Sequence, residues 1–359
     1  MDFALSVEQE DLGEVERAWL EKHDPIRERR RTIDDGPARV PAELRRHVEQ
    51  SGLTGLLTAE AGGTNVDLLV LTEAHGWAGS PFPLSDLAIG ARIVEQAGLV
   101  ADGGLVLPLL AGGAHELRVD LTSDTIRLQG TFALVPGALD TDEFVVVARA
   151  DDGREVAVLL RADEVRVRGC DTLDLLRAWS EISVDIEVCT PRWAALPDRT
   201  VEAISDQLAV FRAVDALGAS DRLLGMSVTY AGQRTQFGRP IGSFQAVKHH
   251  LAGMTLTVEA GRSALWAAAA ALDDLASPET TAIDAAARDT GARAVSAALA
   301  FVGAGAGEVA QLALQVHGGI GFTWEHDVHL FIRRIKTDEL TGGPVAVHRR
   351  RLVGLPTPG

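Results

Sequence analysis

The spacing of apolar residues changes twice along the sequence, and this order of patterns limits the possible folds more than any single motif does. In roughly the first hundred residues apolar side chains recur at helical spacing. They then alternate with polar ones as in strands, and from about residue 197 the helical pattern returns in longer segments. We therefore predict an α+β fold with an N-terminal α-helical domain over 1–103, a small middle β domain over 104–192 and a C-terminal helical bundle over 193–359.

Turn and length signals place elements within these regions. In the middle domain two Val-rich runs flank Asp151-Asp152-Gly153, which predicts a hairpin among about six strands. In the C-terminal domain an apolar stripe over 204–228 and the segments 245–275 and 280–316 predict three long helices. Their alanine runs allow close helix–helix approach, as in a bundle.

The charge and the cysteine content disfavour several classes of protein. The 51 acidic residues outnumber the 34 Lys and Arg, for a formal net charge of −17. That balance disfavours a nucleic-acid partner or an anionic membrane surface. The two cysteines, Cys170 and Cys189, are too few for a disulfide scaffold or a four-thiolate zinc site. The first residues lack the pattern of a signal peptide and charges break the apolar stretches, so we expect no membrane span and a cytoplasmic location.

Two stretches of the C-terminal domain carry residues suited to an anionic ligand. The first, RTQFGRPIGSFQ, begins at Arg234, and a guanidinium group can pair with a phosphate through two hydrogen bonds. The second, QVHGGIGFTWEHD, begins at Gln315, and its glycines let the backbone approach a ligand closely. A Gly-Gly-x-Gly turn by itself is more often a helix cap than a ligand loop.

Together, and in this order, the two motifs resemble the C-terminal signatures of the acyl-CoA dehydrogenase family. The resemblance follows the whole chain in domain order and is strongest from about 200 to 334. It implies a four-helix C-terminal bundle, α,β-dehydrogenation of an acyl-CoA by FAD, and transfer of the electrons to an electron-transfer flavoprotein. It also implies contacts with FAD, mainly that of a neighbouring subunit, at Arg234, Phe237, Gln245, Gln315, Gly318 and Gly319.

The sequence departs from this family where the catalytic base belongs. Family members remove the α-proton of the acyl group with a carboxylate. This carboxylate lies either in a turn after the glycine motif or on the long helix that ends at the Arg of the first motif. These positions match Gly342 and Leu208 in this chain, and neither residue is acidic. Glu339, three residues before Gly342, is a weak candidate for a substitute base, and we assign no other catalytic residue.

The middle domain departs from the family as well. The usual Glu-Pro, Gly-Ser-Asp-like and Trp-Ile-Ser segments, which wrap the isoalloxazine ring, are missing from the shortened stretch GLVLPLLAGGAHELRVDL. Groups for a neighbour's FAD are therefore kept, while those for the reactive half of FAD are lost. This pattern resembles the non-catalytic subunit of the α2β2 acyl-CoA dehydrogenases of actinobacterial steroid side-chain degradation, in which a partner chain supplies the base and the flavin bed.

Two alternatives stay open. The chain could be a self-sufficient homo-oligomeric acyl-CoA dehydrogenase with an atypical base such as Glu339, or a flavin-free acyl-thioester-binding or scaffold protein of the same fold. The retained Arg234 and Phe237 favour a flavin enzyme over the scaffold. The empty base positions favour the partner subunit over the self-sufficient enzyme. His326 and His329 have the spacing of metal ligands but lack a third ligand, so we expect no metal site.

Overall fold

Helices occupy both ends of the chain and strands occupy its middle, in the predicted order. The structure is a computed structural model and describes residues 5–31, 33–34, 38–111, 117–122, 124–276 and 285–354. Within this part of the chain the content of helices and strands confirms the predicted α+β fold class.

Five helices form the described part of the N-terminal region, and two of them begin at side chains that satisfy free backbone groups. They are α1 (Val7–His23), α2 (Ile26–Arg30), α3 (Ala42–Gln50), α4 (Asn65–Ala78) and α5 (Leu84–Gln96). The hydroxyl groups of Ser6 and Thr64 accept hydrogen bonds from the first turns of α1 and α4, and each residue completes a capping box. Gly79 ends α4 in the left-handed conformation, with a φ of 65°.

In the described part of the middle region eight strands form two four-stranded sheets, where the sequence predicts about six strands. They are β1 (Val106–Leu110), β2 (Leu117–Leu121), β3 (Thr125–Pro136), β4 (Glu143–Arg149), β5 (Glu155–Arg161), β6 (Arg166–Cys170), β7 (Trp179–Cys189) and β8 (Trp193–Leu196). The strand orders are β1-β4-β5-β8 and β2-β3-β7-β6, and only β1 and β4 are parallel neighbours among these strands. β8 begins at Trp193, one residue beyond the predicted end of the middle domain, yet it pairs with β5 of that domain. The domain limits themselves stay predictions.

The hairpin predicted around Asp151-Asp152-Gly153 is confirmed. β4 and β5 pair along their whole length in antiparallel register, and Gly153 has a φ of 90° in the turn between them. The first six residues of each strand are buried. The pair therefore forms the centre of its sheet and is covered on both faces.

The C-terminal region is a helical bundle. It contains α6 (Thr200–Gln233), a short hairpin of β9 (Thr235–Gln236) and β10 (Arg239–Pro240), then α7 (Gln245–Ala276), α8 (Ala285–His317), α9 (Val328–Thr341) and α10 (Val345–Leu352). α6 and α8 each pack against the other and against α7 and α9, as expected for a four-helix bundle. Residues 280–284 of the third predicted helix lie outside the described residues.

One helical segment of the bundle is apolar enough to raise the question of a membrane. Thr290–Phe322 reaches a mean hydropathy of 1.5 in an 18-residue window, which suffices for a membrane span by length and composition alone. Half of that window is buried inside the protein, where α8 packs against α6, α7, α9 and α10. A helix in the middle of a bundle is also apolar, because other helices surround it in place of water. The absence of a membrane span stays a prediction.

Two glycines let the N-terminal helices touch the bundle. A Cβ atom at Gly76 of α4 would lie 2.3 Å from the carbonyl oxygen of Asp215, and one at Gly218 of α6 would lie 2.2 Å from that of Glu73. No larger residue fits at either position without moving the backbone. α4 and α6 therefore cross in direct contact, next to the buried charged residues described below.

Candidate functional site

The two C-terminal motifs lie at the same end of the bundle. Arg234 caps α6, and its backbone N–H donates to the carbonyl oxygen of Tyr230 at 2.8 Å. The Tyr230 ring stacks on the ring of His317, the last residue of α8, with the ring centroids 4.7 Å apart. This contact brings the start of the first motif next to the glycine turn of the second.

The hairpin after α6 presents an aromatic ring to the outside. Phe237 is 92% exposed, and its φ of 53° is uncommon for a residue with a side chain. The ring meets Phe244 edge-on with the centroids 6.1 Å apart, and the Arg239 guanidinium lies 4.2 Å from the centre of the Phe244 ring. Strained backbone at an exposed aromatic residue is typical of a ligand or partner contact.

The second motif is a turn that follows α8 directly. Gly318 has a φ of 61°, and Gly318–Phe322 form a short 3-10 helix. His317 is buried before this turn, and burial lowers the pKa of its ring. The ring is therefore neutral at neutral pH, and its Nδ1–H donates to the carbonyl oxygen of Ala313 at 2.8 Å.

The residues assigned to FAD face outward. Gly318 is half-buried, and the others are exposed: Arg234, Phe237, Gln245, Gln315 and Gly319. Arg234 forms no salt bridge within the described part of the chain, which leaves its guanidinium available to a phosphate. Outward-facing groups at one end of a bundle fit a cofactor that a neighbouring chain also holds. Their roles stay predictions, and residues 112–116 of the middle-domain stretch that would face the flavin ring lie outside the described residues.

The two family positions for the base lie close to one another. Gly342 follows the last turn of α9 and packs against α6. A Cβ at Gly342 would lie 3.0 Å from the carbonyl oxygen of Asp338 and 3.1 Å from the Cβ of Arg212. Leu208 is half-buried on α6, one turn before Arg212. A side chain at 342 would therefore meet α6 at its first carbon, and Arg212 would have to shift to admit the family's base.

An ion pair fills the space beside these positions. Arg212 donates to both carboxylate oxygens of Asp86 on α5, at 2.5 and 2.8 Å, and both side chains are almost fully buried. Burial opposes the charge of Arg212, but Asp86 and nearby carboxylates outweigh it and raise the pKa of the guanidinium. The Arg212 guanidinium also lies 5.7 Å from the centre of the Trp179 ring on β7. The N-terminal helices, the strands and the bundle thus meet at Arg212.

A second buried network joins the same three regions, since Arg334 also donates to the carbonyl oxygen of Ser80 at 3.2 Å. The fully buried Arg334 of α9 pairs with Asp174, which precedes β7, at 2.8 Å and with Asp215 of α6 at 3.2 Å. Arg177 donates to Asp215 at 2.7 Å. Burial acts to raise the pKa of Asp215, but the guanidinium groups of Arg177 and Arg334 hold it below its usual value. Paired charges therefore occupy the junction of the three regions.

Glu339, the weak candidate for a substitute base, lies in an ordinary surface pair. Its Oε2 accepts a hydrogen bond from the Lys336 ammonium group at 2.8 Å, and 26% of its side chain is exposed. A carboxylate that removes a weakly acidic proton needs burial to raise its pKa. The surroundings of Glu339 do not provide that burial.

The adjacent Asp338 is the buried carboxyl group of α9, and sequence reasoning missed it. It is 1% exposed, and neither side-chain oxygen has a hydrogen-bond partner among the described residues. Burial and, second, the Asp215 carboxylate raise the pKa of Asp338 well above its ordinary value. A signal for this residue was available, because Asp338 follows Phe331 and Ile335 by seven and three residues on the buried face of α9.

A cleft opens at the N-terminal end of α6. Its volume is about 490 Å³, and its walls come from α5, α6, α7 and α8, with Arg92, Gln207, Leu272 and Val295 among the lining residues. Arg92 donates a hydrogen bond to Gln207 inside it. The walls combine apolar side chains with groups of both charges, which suits a long ligand with polar and apolar parts.

The two histidines with metal-ligand spacing make local contacts. The His329 ring stacks on Trp324 with the centroids 4.8 Å apart, and His326 Nδ1 accepts from the backbone N–H of Val328 at 3.3 Å. Burial lowers the pKa of both rings. Across the described residues no three His, Cys, Asp or Glu side chains are grouped as ligands of one metal ion, and the absence of a metal stays a prediction.

The fold places a β region between a group of N-terminal helices and a long C-terminal helical bundle. Residues 201–353 match the family model for the C-terminal domain of acyl-CoA dehydrogenases. The acyl-CoA dehydrogenase IpdE2 of Mycolicibacterium smegmatis is 30% identical to this chain over 97% of the chain and 98% of its own length. The chain belongs to the acyl-CoA dehydrogenase family, a family of oxidoreductases.

Solved structures agree with this assignment over nearly the whole chain. A chain of the ChsE4-ChsE5 complex from Mycobacterium tuberculosis has a TM-score of 0.83 at 25% identity, covering 99% of this chain and 100% of that one. A chain of the Tcur3481-Tcur3483 steroid ACAD has a TM-score of 0.82 at 25% identity, covering 97% of each. The family and the fold predicted from the two motifs are thereby confirmed.

Proposed function

We propose that this chain is the partner subunit of an FAD-dependent acyl-CoA dehydrogenase. A second chain of the same family supplies the catalytic carboxylate and the bed for the flavin ring. The assembly performs the α,β-dehydrogenation of an acyl-CoA and passes the electrons to an electron-transfer flavoprotein. One observation carries the proposal: the position that matches the family's base is Gly342, which has no carboxylate, and a Cβ atom there would already lie 3.1 Å from the Cβ of Arg212.

The proposed substrate is a bulky acyl-CoA that derives from a steroid side chain. The Tcur3481-Tcur3483 protein is named a steroid ACAD, and its similarity to this chain extends over all three regions. The volume of the cleft at the N-terminal end of α6, about 490 Å³, supports a ligand that is larger than a short acyl group. Its polar and apolar walls suit a ligand with parts of both kinds.

The proposed cofactor is FAD, bound between this chain and its partner. When bound, FAD accepts the hydride from the β-carbon of the acyl group. Arg234 would pair with a phosphate of FAD, Phe237 would lie against a flat ring, and the backbone at Gly318 and Gly319 would approach the ligand closely. These residues support the proposal because a second chain can reach all of them at one end of the bundle.

The proposed assembly is α2β2, with a second acyl-CoA dehydrogenase-family chain as partner, and its proposed location is the cytoplasm. The names ChsE4-ChsE5 and Tcur3481-Tcur3483 each join two different chains, which supports a heteromer. The incomplete set of catalytic groups in this chain supports it independently, since a complementary chain would restore the missing carboxylate.

Substitution of single carboxylates in the complex tests which chain holds the base. We expect Glu339→Gln in this chain to leave the rate of acyl-CoA dehydrogenation within about twofold of the unmodified complex. Loss of the matching carboxylate in the partner should lower the rate by about 10²–10⁴-fold. The rates are measured with an artificial electron acceptor on the copurified complex.

Two results would overturn the proposal. Loss of turnover on Glu339→Gln would identify this chain as a self-sufficient dehydrogenase. A copurified complex that contains no flavin and does not oxidise acyl-CoA would instead favour an acyl-thioester-binding or scaffold protein.

A further inference from the structure

The Asp338 carboxyl group lies at the edge of a small slot inside the bundle. The group is 1% exposed, and neither of its oxygens has a hydrogen-bond partner among the described residues. The slot lies between α6, α8 and α9 and has a volume of about 20 Å³. That volume holds about one water molecule.

Apolar side chains, many of them small, line most of the slot, and Glu339 of α9 lines it as well. Ala209, Ala213 and Ala216 come from α6, and Gly303 and Ala306 come from α8. None of these side chains can hydrogen-bond to Asp338, and a polar group buried without a partner is costly. A water molecule in the slot would provide the missing partner. It could also donate to main-chain oxygens of α6, which keep a second lone pair when they are already bonded.

The charged groups around Asp338 are already paired with one another. They come from the connection before β7 and from α5, α6 and α9, and they are Arg177, Asp174, Asp86, Arg212, Asp215 and Arg334. Three arginines balance three aspartates in this set, so an ionised Asp338 would be a fourth, unbalanced negative charge. α8 contributes no titratable side chain to the slot, and α9 contributes Glu339, whose carboxylate is paired with Lys336. The nearest titratable group on α10 is His348, whose Nε2 lies 3.4 Å from the carbonyl oxygen of Gly342.

We propose that Asp338 is a neutral carboxylic acid at neutral pH and that it donates a hydrogen bond to one water molecule bound in the slot. Burial and the neighbouring Asp215 carboxylate both favour the neutral form over the charged one. The bound proton and the water make a polar site inside the bundle, one helical turn from Gly342. This site stands whether or not the chain is a partner subunit.

The proton on Asp338 makes stability depend on pH in a defined direction. In the unfolded chain an aspartic acid ionises near its ordinary pKa of 3.8, whereas the native state keeps the proton to higher pH. Above that ordinary value the native state binds one proton more than the unfolded chain. Stability therefore falls as the pH rises, until Asp338 itself ionises in the native state.

A crystal structure of the full-length protein at atomic resolution tests both parts of the proposal without a variant. We expect a water molecule within hydrogen-bonding distance of one Asp338 oxygen. We also expect two unequal C–O bonds in the carboxyl group, because a neutral acid has one C=O and one C–OH. An empty slot would overturn the bound water, and equal C–O bonds would overturn the neutral acid.

Denaturation across pH provides the second test. Relative to Asp338→Asn, the unfolding constant of the wild-type chain should rise by up to about tenfold per pH unit above pH 5. Glu308→Gln is the matched control, since it removes an exposed carboxylate of α8 that does not line the slot, and it should follow the wild type. Parallel pH profiles for Asp338→Asn and wild type would contradict the proposal. If the Asn variant does not fold, the crystallographic test decides.

Discussion

Arg212 forms a buried ion pair with Asp86 at the junction of the three regions, through two hydrogen bonds. Replacing Arg212 with Leu would leave Asp86 buried without its partner. We expect the free energy of unfolding to fall by about 3–5 kcal/mol, the usual cost of breaking a buried ion pair. Urea denaturation of the purified chain measures the change.

The control for this variant removes both charges. Arg212→Leu combined with Asp86→Leu should recover most of the lost stability, because an apolar pair of similar volume often replaces a buried ion pair without loss. A single Arg212→Leu variant within about 1 kcal/mol of the wild type would show that the pair behaves like one at the surface.

Gly342 permits a direct test of whether this chain can carry the family's base. Gly342→Glu should lower the free energy of unfolding by about 1–3 kcal/mol, because the new Cβ would lie 3.1 Å from the Cβ of Arg212, whose side chain Asp86 holds in place. It should also give the lone chain no dehydrogenase activity. Gly225→Glu is the control, since the Cβ there meets nothing within 4 Å. An active, stable Gly342→Glu chain would show that this position has room for the family's base, which would contradict the prediction.

At the scale of elements, the turn after α8 depends on one of its two adjacent glycines. Gly318 has a φ of 61°, so Gly318→Ala should cost about 1–2 kcal/mol in the free energy of unfolding. Gly319 has no positive φ, and a Cβ there has open space, so Gly319→Ala should cost almost nothing. Thermal denaturation of the two variants compares them, and equal effects would contradict the assigned turn.

The hairpin after α6 should matter for the cofactor and not for folding. Arg234→Ala and Phe237→Ala remove exposed groups, so each should leave thermal stability of the chain unchanged. In the copurified complex, Arg234→Ala should weaken FAD binding by about 10- to 100-fold, as expected for a lost charged hydrogen bond of about 1.5–3 kcal/mol. Arg168→Ala, which removes an exposed arginine of β6 paired with Glu181, is the control. Unchanged FAD affinity in Arg234→Ala would exclude the proposed contact.

Local sequence signals predict the elements of this fold well, and they predict the buried site poorly. The β4–β5 hairpin follows from its turn residues and Val-rich runs, and α6 follows from its apolar stripe, because neighbours in sequence decide both. β8 is only four residues long and depends on pairing with β5, so no local pattern distinguishes it. Asp338 follows the helical period of α9, but its burial depends on α6 and α8, which are remote in sequence.

At the scale of the whole molecule, the proposed division of roles between two chains fits the arrangement of this chain. Buried ion pairs of Arg212 and Arg334 occupy the junction of the three regions, and Arg212 packs against Gly342, the position that matches the family's base. The residues suited to bind FAD are instead exposed at one end of the bundle. Under the proposed function this chain is complete as a fold, and a second chain would supply the carboxylate that it lacks.

The measurement that tests this division most directly is the visible absorbance spectrum of the protein. It is recorded for the chain purified alone and again after co-expression with a second family member that carries a carboxylate at the position of Gly342. We predict a colourless lone chain and a yellow complex whose flavin is bleached by an acyl-CoA. Stoichiometric flavin in the lone chain, bleached by the same substrate, would contradict the partner-subunit role.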